Sequence, residues 1–189
     1  MKNLLIFTFL LCAGKAFAQK DTIGLNIPFV DQSVVYERVY DVPNASQRLL
    51  YSNARVWFAG THPDGGKTQL TLRDSVLSRV AGRSTYAIDV PYKLLWQTEH
   101  YTAIYNFTVQ IDCKDNKYRL RIYNAQYGND TPIAIEEMVQ SLAKSKSLPL
   151  GTGVRLSKSD LKKLLQMFSG IVNNLIADIH KKMVDDINF

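Results

Sequence analysis

From Tyr101 to Asp112 the chain alternates apolar and polar side chains more strictly than anywhere else. Tyr101, Ala103, Tyr105, Phe107, Val109 and Ile111 point one way. Thr102, Asn106, Thr108, Gln110 and Asp112 point the other, and only Ile104 breaks the polar row. A period of two places the two sets on opposite faces of a strand, so one face must be covered and the other wet, as in an antiparallel sheet. Lys114-Asp115-Asn116-Lys117 reads as a hairpin turn, after which Tyr118, Leu120 and Ile122 continue the covered face opposite Arg119 and Arg121. The end of the chain supplies a matching cover. Leu161, Leu164, Leu165, Phe168, Val172, Leu175, Ile176, Ile179 and Met183 recur at three- and four-residue spacing, which predicts a helix over 157–186 that Ser157 or Ser159 can cap. Such a stripe needs a long apolar partner, and the strand face is the one of sufficient length, so the helix is expected to lie across the sheet. Burying large side chains at ~2 kcal/mol each outweighs any surface ion pairing here.

The other elements are read the same way. Val34 to Tyr40 is β-branched and aromatic and predicts a first strand, preceded by a mixed leader over 19–32 and stopped by Asp41-Val42-Pro43. Asn44, with Gln47 three residues on, has the pattern of a capping box for a helix from Ala45 to Gly60 that buries Leu50, Ala54, Trp57 and Phe58. His62-Pro63-Asp64-Gly65-Gly66 breaks the chain. A short strand over 69–73 and a longer one over 77–90 follow, the second placing Val80, Gly82, Ser84, Tyr86, Ile88 and Val90 on one side. Gly82 and Ser84 thin that side, which marks a bulge, a bend, or room for something packed across them. A helix over 133–144 precedes the Lys144-Ser145-Lys146-Ser147 connection.

The first eighteen residues predict a location. A positive charge at Lys2, an apolar run from Leu4 to Ala13 and the small-x-small triplet Ala16-Phe17-Ala18 read as a cleaved signal peptide, leaving a chain that begins at Gln19 and works in the periplasm or outside the cell. Residues 33–189 are then a single domain with no membrane-spanning segment, since no later run reaches the ~18 apolar residues a spanning helix needs. Removal of Lys2 and Lys15 lowers the formal charge of +6 by two. That excess is far from the dense basic stripes of nucleic-acid binders, and no nucleic-acid partner is expected. Lipidation at Cys12 is the alternative, tethering the protein to a membrane, but Leu11 stands where such a site wants a small residue. Cys113 is left without an intramolecular partner and without a neighbouring base.

The order of strand, helix, four strands and long helix now stands beside particular segments: Val34 to Val42 ahead of a capped helix ending in Arg55-Val56-Trp57-Phe58, and the Tyr118-Arg119-Leu120-Arg121 strand. Together they resemble a family of exported bacterial domains of unknown function with a TATA-box-binding-protein-like fold, over about residues 33–125. The resemblance implies an α+β, helix-grip-like arrangement in which a curved antiparallel sheet has one face covered by the long C-terminal helix. It carries no activity or catalytic residues, and a fold shared with a DNA-binding protein implies no function.

Nothing in the sequence assembles a catalytic, cofactor or metal site. His62, His100 and His180 fall in different elements and lack the spacing of a helical metal pair. Glu136-Glu137 and Asp185-Asp186 are neighbours that diverge on helices. Gly151-Thr152-Gly153 lacks the lysine of a phosphate loop. The expected function is therefore a non-enzymatic binding module. Its first form holds an apolar or amphipathic small molecule between sheet and last helix, with Gly82 and Ser84 making space among Tyr86, Tyr105, Phe107, Leu165, Phe168 and Val172. A filled core is the rival. The second form is an envelope interaction or assembly domain that uses a strand edge or the basic face of Arg79, Arg83, Lys117, Arg119 and Arg121 toward an envelope protein, lipid head group or acidic glycan. A hydrolase comes third and requires a histidine to meet an aspartate or Cys113.

Overall fold

The computed structural model describes residues 24–60, 62, 66–94, 97–149 and 155–185. A short hairpin of β1 (Phe29–Val30) and β2 (Ser33–Val34) leads into β3 (Tyr36–Asp41) and helix α1 (Gln47–Ala59). Four strands follow: β4 (Lys67–Asp74), β5 (Arg79–Leu94), β6 (Gln97–Lys114) and β7 (Lys117–Tyr127). Then come β8 (Ile133–Ala134), helix α2 (Ile135–Ala143), the strand pair β9 (Leu148–Pro149) and β10 (Arg155–Leu156), and helix α3 (Lys158–Asp185). The main sheet is antiparallel, ordered β3-β7-β6-β5-β4, with β8 against β7. This is an α+β fold with the predicted order of strand, helix, four strands and long helix.

The apolar row of the alternating strand is covered as expected, but the polar row is only partly wet: Asn106 and Gln110 are buried too, held by hydrogen bonds to Thr85 and Asp112. Tyr105, Phe107, Val109 and Ile111 of β6 are buried, as are Val80, Ser84 and Tyr86 of β5 and Tyr118, Leu120 and Ile122 of β7. The apolar stripe of α3 covers this face, with Leu161, Leu164, Leu165, Phe168, Val172, Ile179 and Met183 buried. Two inward tyrosines need partners for their hydroxyls, and α3 supplies them. Tyr105 donates to the Leu164 carbonyl at 2.9 Å, and the Tyr118 hydroxyl lies 2.8 Å from His180 Nδ1. Helix α1 completes the layer. Its Trp57 Nε1 donates to Asp178 on α3 at 2.8 Å, and Asn53 Nδ2 donates to the Met183 carbonyl at 3.3 Å.

Several boundaries differ from those read in the sequence, each for a physical reason. Within the expected leader, Leu25 and Ile27 are buried in the core and Phe29–Val30 is a strand, so residues 24–32 belong to the domain. Asn44 does not cap α1: at φ +67° it forms a turn, and its amide donates to Asn116 Oδ1 at 2.9 Å. Ser46, extended at φ −72° and ψ 150°, caps instead and accepts from the Leu49 amide at 3.2 Å. At α3 the choice between two serines resolves to Ser157. Its Oγ accepts from the Asp160 amide at 3.2 Å while Asp160 Oδ2 accepts from the Ser157 amide at 3.0 Å, a reciprocal capping pair. The signal segment, Cys12 and the Gly151-Thr152-Gly153 turn lie outside the described residues.

Candidate functional site

The interior does not keep the room that Gly82 suggests. A Cβ placed on Gly82 would stand 2.6 Å from the Gln69 carbonyl oxygen and 2.6 Å from Phe58 Cε1, so helix α1 has filled the vacancy. Ser84 is fully buried and its hydroxyl pairs with Thr68 Oγ1 at 3.1 Å. The aromatic members of the expected cavity pack on one another: Tyr86 stacks on Phe107 at 5.6 Å, and Phe168 meets Tyr105 at 5.9 Å and Phe107 at 6.3 Å. Leu165 and Val172 are buried beside them. The space among these eight residues is therefore core. What remains between β5 and α3 is an open cleft of about 560 Å³ lined by Tyr86, Ile88, Met167, Gly170 and Ile171, which shares only Tyr86 with the expected set.

The opposite face of the sheet carries the charges, and register decides which of them are free. Arg79, Asp112 and Arg119 stand side by side on β5, β6 and β7 because Arg79 pairs with Asp112 and Asp112 with Arg119. Arg79 Nε donates to Asp112 Oδ1, and Arg119 Nη2 donates to Asp112 Oδ2 at 2.9 Å. Gln110 Nε2 adds a bond to Asp112 Oδ2 at 3.0 Å and accepts one at its Oε1 from the Tyr123 hydroxyl at 3.2 Å. Burial pushes the Asp112 carboxyl up, but these hydrogen bonds from Arg79, Gln110 and Arg119 outweigh it and hold the group below its ordinary 3.8. On the neighbouring strand Glu37 forms an ion pair with Arg121, Oε2 lying 2.9 Å from Nε without the geometry of a hydrogen bond. Three of the five residues of the basic face, Arg79, Arg119 and Arg121, are thus paired, sharing the two carboxylates of Asp112 and Glu37. Lys117 lies at the rim of a shallow depression of about 260 Å³ beside Val39 and Lys114.

Arg83 differs from its neighbours. It is exposed on β5 and makes no ion pair among the described residues. Directly across from it is Thr108 of β6, where the β6-β7 register shifts: Asn106 pairs with Gln126 but Thr108 pairs with Tyr123, so Asn124 and Ala125 together oppose Phe107. Asn124 takes the left-handed φ of +53° that this bulge demands. The kink opens a polar depression of about 470 Å³ bordered by Arg83, Thr108, Asn124, Gln126, Ala134 and Glu136. Glu136 is fixed there because its Oε1 accepts from the Val34 amide at 2.9 Å. Arg83 was legible in the sequence as a member of the basic face. Asn124, Gln126 and Glu136 were not, because only the bulge brings them to it.

The histidines are structural or superficial by their contacts. His62 is buried against Trp57 with Nδ1 3.9 Å from Asp178 Oδ2, and burial lowers its pKa below the ordinary 6.5 despite that carboxylate. His100 Nδ1 sits 2.6 Å from Asp89 on the exposed surface. Two imidazoles therefore do meet aspartates, as a hydrolase would require, but among the described residues neither bonds a hydroxyl or thiol. Cys113 is buried, which pushes its thiol up to about 12. Among the described residues no group of three or more histidine, cysteine, aspartate or glutamate side chains could hold a metal, and no helix is long and apolar enough to cross a membrane.

The family model for a domain of unknown function with a TBP-like fold, DUF4468, matches residues 36–128, from the first residue of β3 to the end of β7. Residues 36–128 are a DUF4468 domain. Two crystal structures share its fold. A DUF4468 family protein from Bacteroides ovatus superposes with a TM-score of 0.62 at 15% identity, covering 85% of this chain and 91% of its own. A TBP-like protein from Parabacteroides distasonis gives a TM-score of 0.57 at 16% identity, with 83% and 96% covered. At these identities the likeness speaks for fold alone. No curated protein matches the sequence. The Arg83 depression lies on the outer face of the DUF4468 sheet, bounded at its far side by Ala134 and Glu136 beyond the matched residues.

Proposed function

We propose that this DUF4468 protein is an exported, non-enzymatic binding module of the cell envelope, and that its outer sheet face takes an acidic glycan at the Arg83 depression. The observation that carries the reading is the contrast within one basic face: Arg79, Arg119 and Arg121 are paired, whereas Arg83 borders a polar hollow without a carboxylate partner among the described residues. A guanidinium offers a fork of donors to a carboxylate. Around it, Thr108, Asn124, Gln126 and Glu136 offer donors and acceptors to ring hydroxyls, a combination that suits a sugar acid better than a bare phosphate. The burial of Cys113, which keeps its thiol protonated, and the lack among the described residues of a nucleophile bonded to His62 or His100 are the support for binding without turnover.

Isothermal titration with oligogalacturonate and with its neutral galactose counterpart tests the ligand class. The acidic oligomer is expected to bind and Arg83→Ala to weaken it about tenfold or more, the loss of one charge-assisted pair. Equal affinity for the neutral oligomer, or no change in Arg83→Ala, would reject the site. Release of new reducing ends would reject the non-enzymatic part. Export is tested by sequencing the N-terminus of protein recovered from cell fractions, where a start at Gln19 outside the cytoplasm is expected and a retained Met1 in the cytoplasm refutes it.

A further inference from the structure

Of the large aliphatic side chains exposed among the described residues, four gather on one edge of the molecule: Val56 on α1, Leu72 on β4, and Val76 and Leu77 in the turn from β4 to β5. Val76 is 88% exposed and Leu77 58%, and the tight turn that holds them needs no apolar residue for its own geometry. The charges on this edge are lopsided. Helix α1 and strand β4 carry Arg48, Arg55, Lys67 and Arg73 against one carboxylate, Asp74, whose Oδ1 is occupied by the Leu77 amide at 2.9 Å. Arg55 and Arg73 flank a groove of about 300 Å³ between helix and strand whose floor includes Val56, Phe58, Ala59 and Leu70. Tyr51 lies under the Arg55 guanidinium at 5.9 Å.

We propose that this edge docks on an anionic bilayer, with the Val76-Leu77 turn entering the interface and Arg55 and Arg73 meeting lipid phosphates. A protruding aliphatic turn, with Arg73 three residues before it and Arg55 across the groove from Arg73, matches what an interfacial anchor requires, apolar insertion plus attraction to anionic head groups. A partner strand added to β4 fits less well. The ladder is broken between Leu70 and Leu72, and Thr71 Oγ1 turns back to the Ala81 carbonyl at 3.2 Å, so an added strand would lose register midway. Head groups and water impose no register. The surface is separate from the Arg83 depression, so either assignment can fail alone.

The test is flotation of the full chain with phosphatidylcholine vesicles, with and without phosphatidylglycerol. Wild type is expected to float with the anionic vesicles, less so as salt is added. The double changes Val76→Asp with Leu77→Asp, and Arg55→Glu with Arg73→Glu, should each weaken binding about tenfold or more. The apolar run from Leu4 to Ala13 is common to all variants, so the difference between them is the readout. Circular dichroism should show all variants folded, and Arg83→Ala should float like wild type. Three results would overturn the proposal: equal flotation of wild type and both double variants, indifference to the anionic lipid, or a dimer in solution that the same substitutions dissolve, which would assign the edge to a second copy of the chain.

Discussion

Gly82 and Arg83 are neighbours on β5 and face opposite ways, and the two faces of the sheet obey different rules. On the inner face a missing side chain attracts a neighbour: Phe58 of α1 and the Gln69 carbonyl close on Gly82 until no Cβ would fit. Dispersion and exclusion of water both favour contact, so a glycine in a covered strand more often records a close approach than a void. On the outer face no helix of the described residues lies across Arg83, and an opening survives where the β6-β7 ladder is kinked at Asn124. The inner face can be altered only at a cost in stability. The outer face can be altered at a cost in binding.

Phe168→Ala should be the most damaging change, because its ring is fully buried against Tyr36, Tyr105 and Phe107 and its loss leaves a cavity among them. Chemical denaturation is expected to show a loss of about 4 kcal/mol. A loss below about 1 kcal/mol would mean that the inner face is loosely packed and the comparison is wrong at its root. Gly82→Val tests the same face from the other direction. It should cost about 2–3 kcal/mol, since the Gln69 carbonyl is backbone and cannot swing aside, whereas a strand facing a cavity would accept the methyl groups.

Asp112 lies between the two regimes, a carboxylate of the outer face that is mostly covered and bonded by Arg79 and Arg119. Both guanidinia remain about a third exposed or more, so Asp112→Asn should cost only about 1–2 kcal/mol at neutral pH rather than the full penalty of a buried unpaired charge. The pH dependence has a definite sign. The folded-state pKa lies below the ordinary 3.8, so the folded chain binds this proton less readily than the unfolded chain. The stabilisation is complete above 3.8 and is lost as the pH falls through that value toward the folded pKa. Denaturation curves of wild type and Asp112→Asn should therefore differ at neutral pH and draw together on acidification below about pH 4.

Much of the scaffold was legible because it rests on period. The rows of β5, β6 and β7 and the stripe of α3 are set by side chains that recur every two or every three to four residues, and each fell on the expected face. What escaped depends on pairs of distant residues. Asn44 looks like a helix cap until the Asn116 side chain takes its amide, and Glu37 gives no sign of facing Arg121 until β3 pairs with β7. Leu25 and Ile27 lie in a mixed segment with no period at all, yet they join the core. The candidate site shows the same division. Arg83 could be assigned to the polar face from alternation, but its freedom from a partner and its place beside Asn124 follow from register and a bulge, which alternation does not encode.

Arg83→Ala should have the smallest effect on stability and is the sharpest test of the comparison. The side chain is exposed and holds no carboxylate among the described residues, so removing it should change the unfolding free energy by no more than about 0.5 kcal/mol. Arg121→Ala, on the same face two strands away, loses an ion pair with Glu37 and is expected to shift stability slightly while leaving oligogalacturonate binding near wild type. The pair separates a site from a surface. If the face works only through its summed charge, the two variants should weaken binding alike and in parallel with added salt. If the bulge has built a site, the loss should be specific to Arg83, and Asn124→Gly should share part of it by removing an amide while keeping a backbone able to hold φ near +53°.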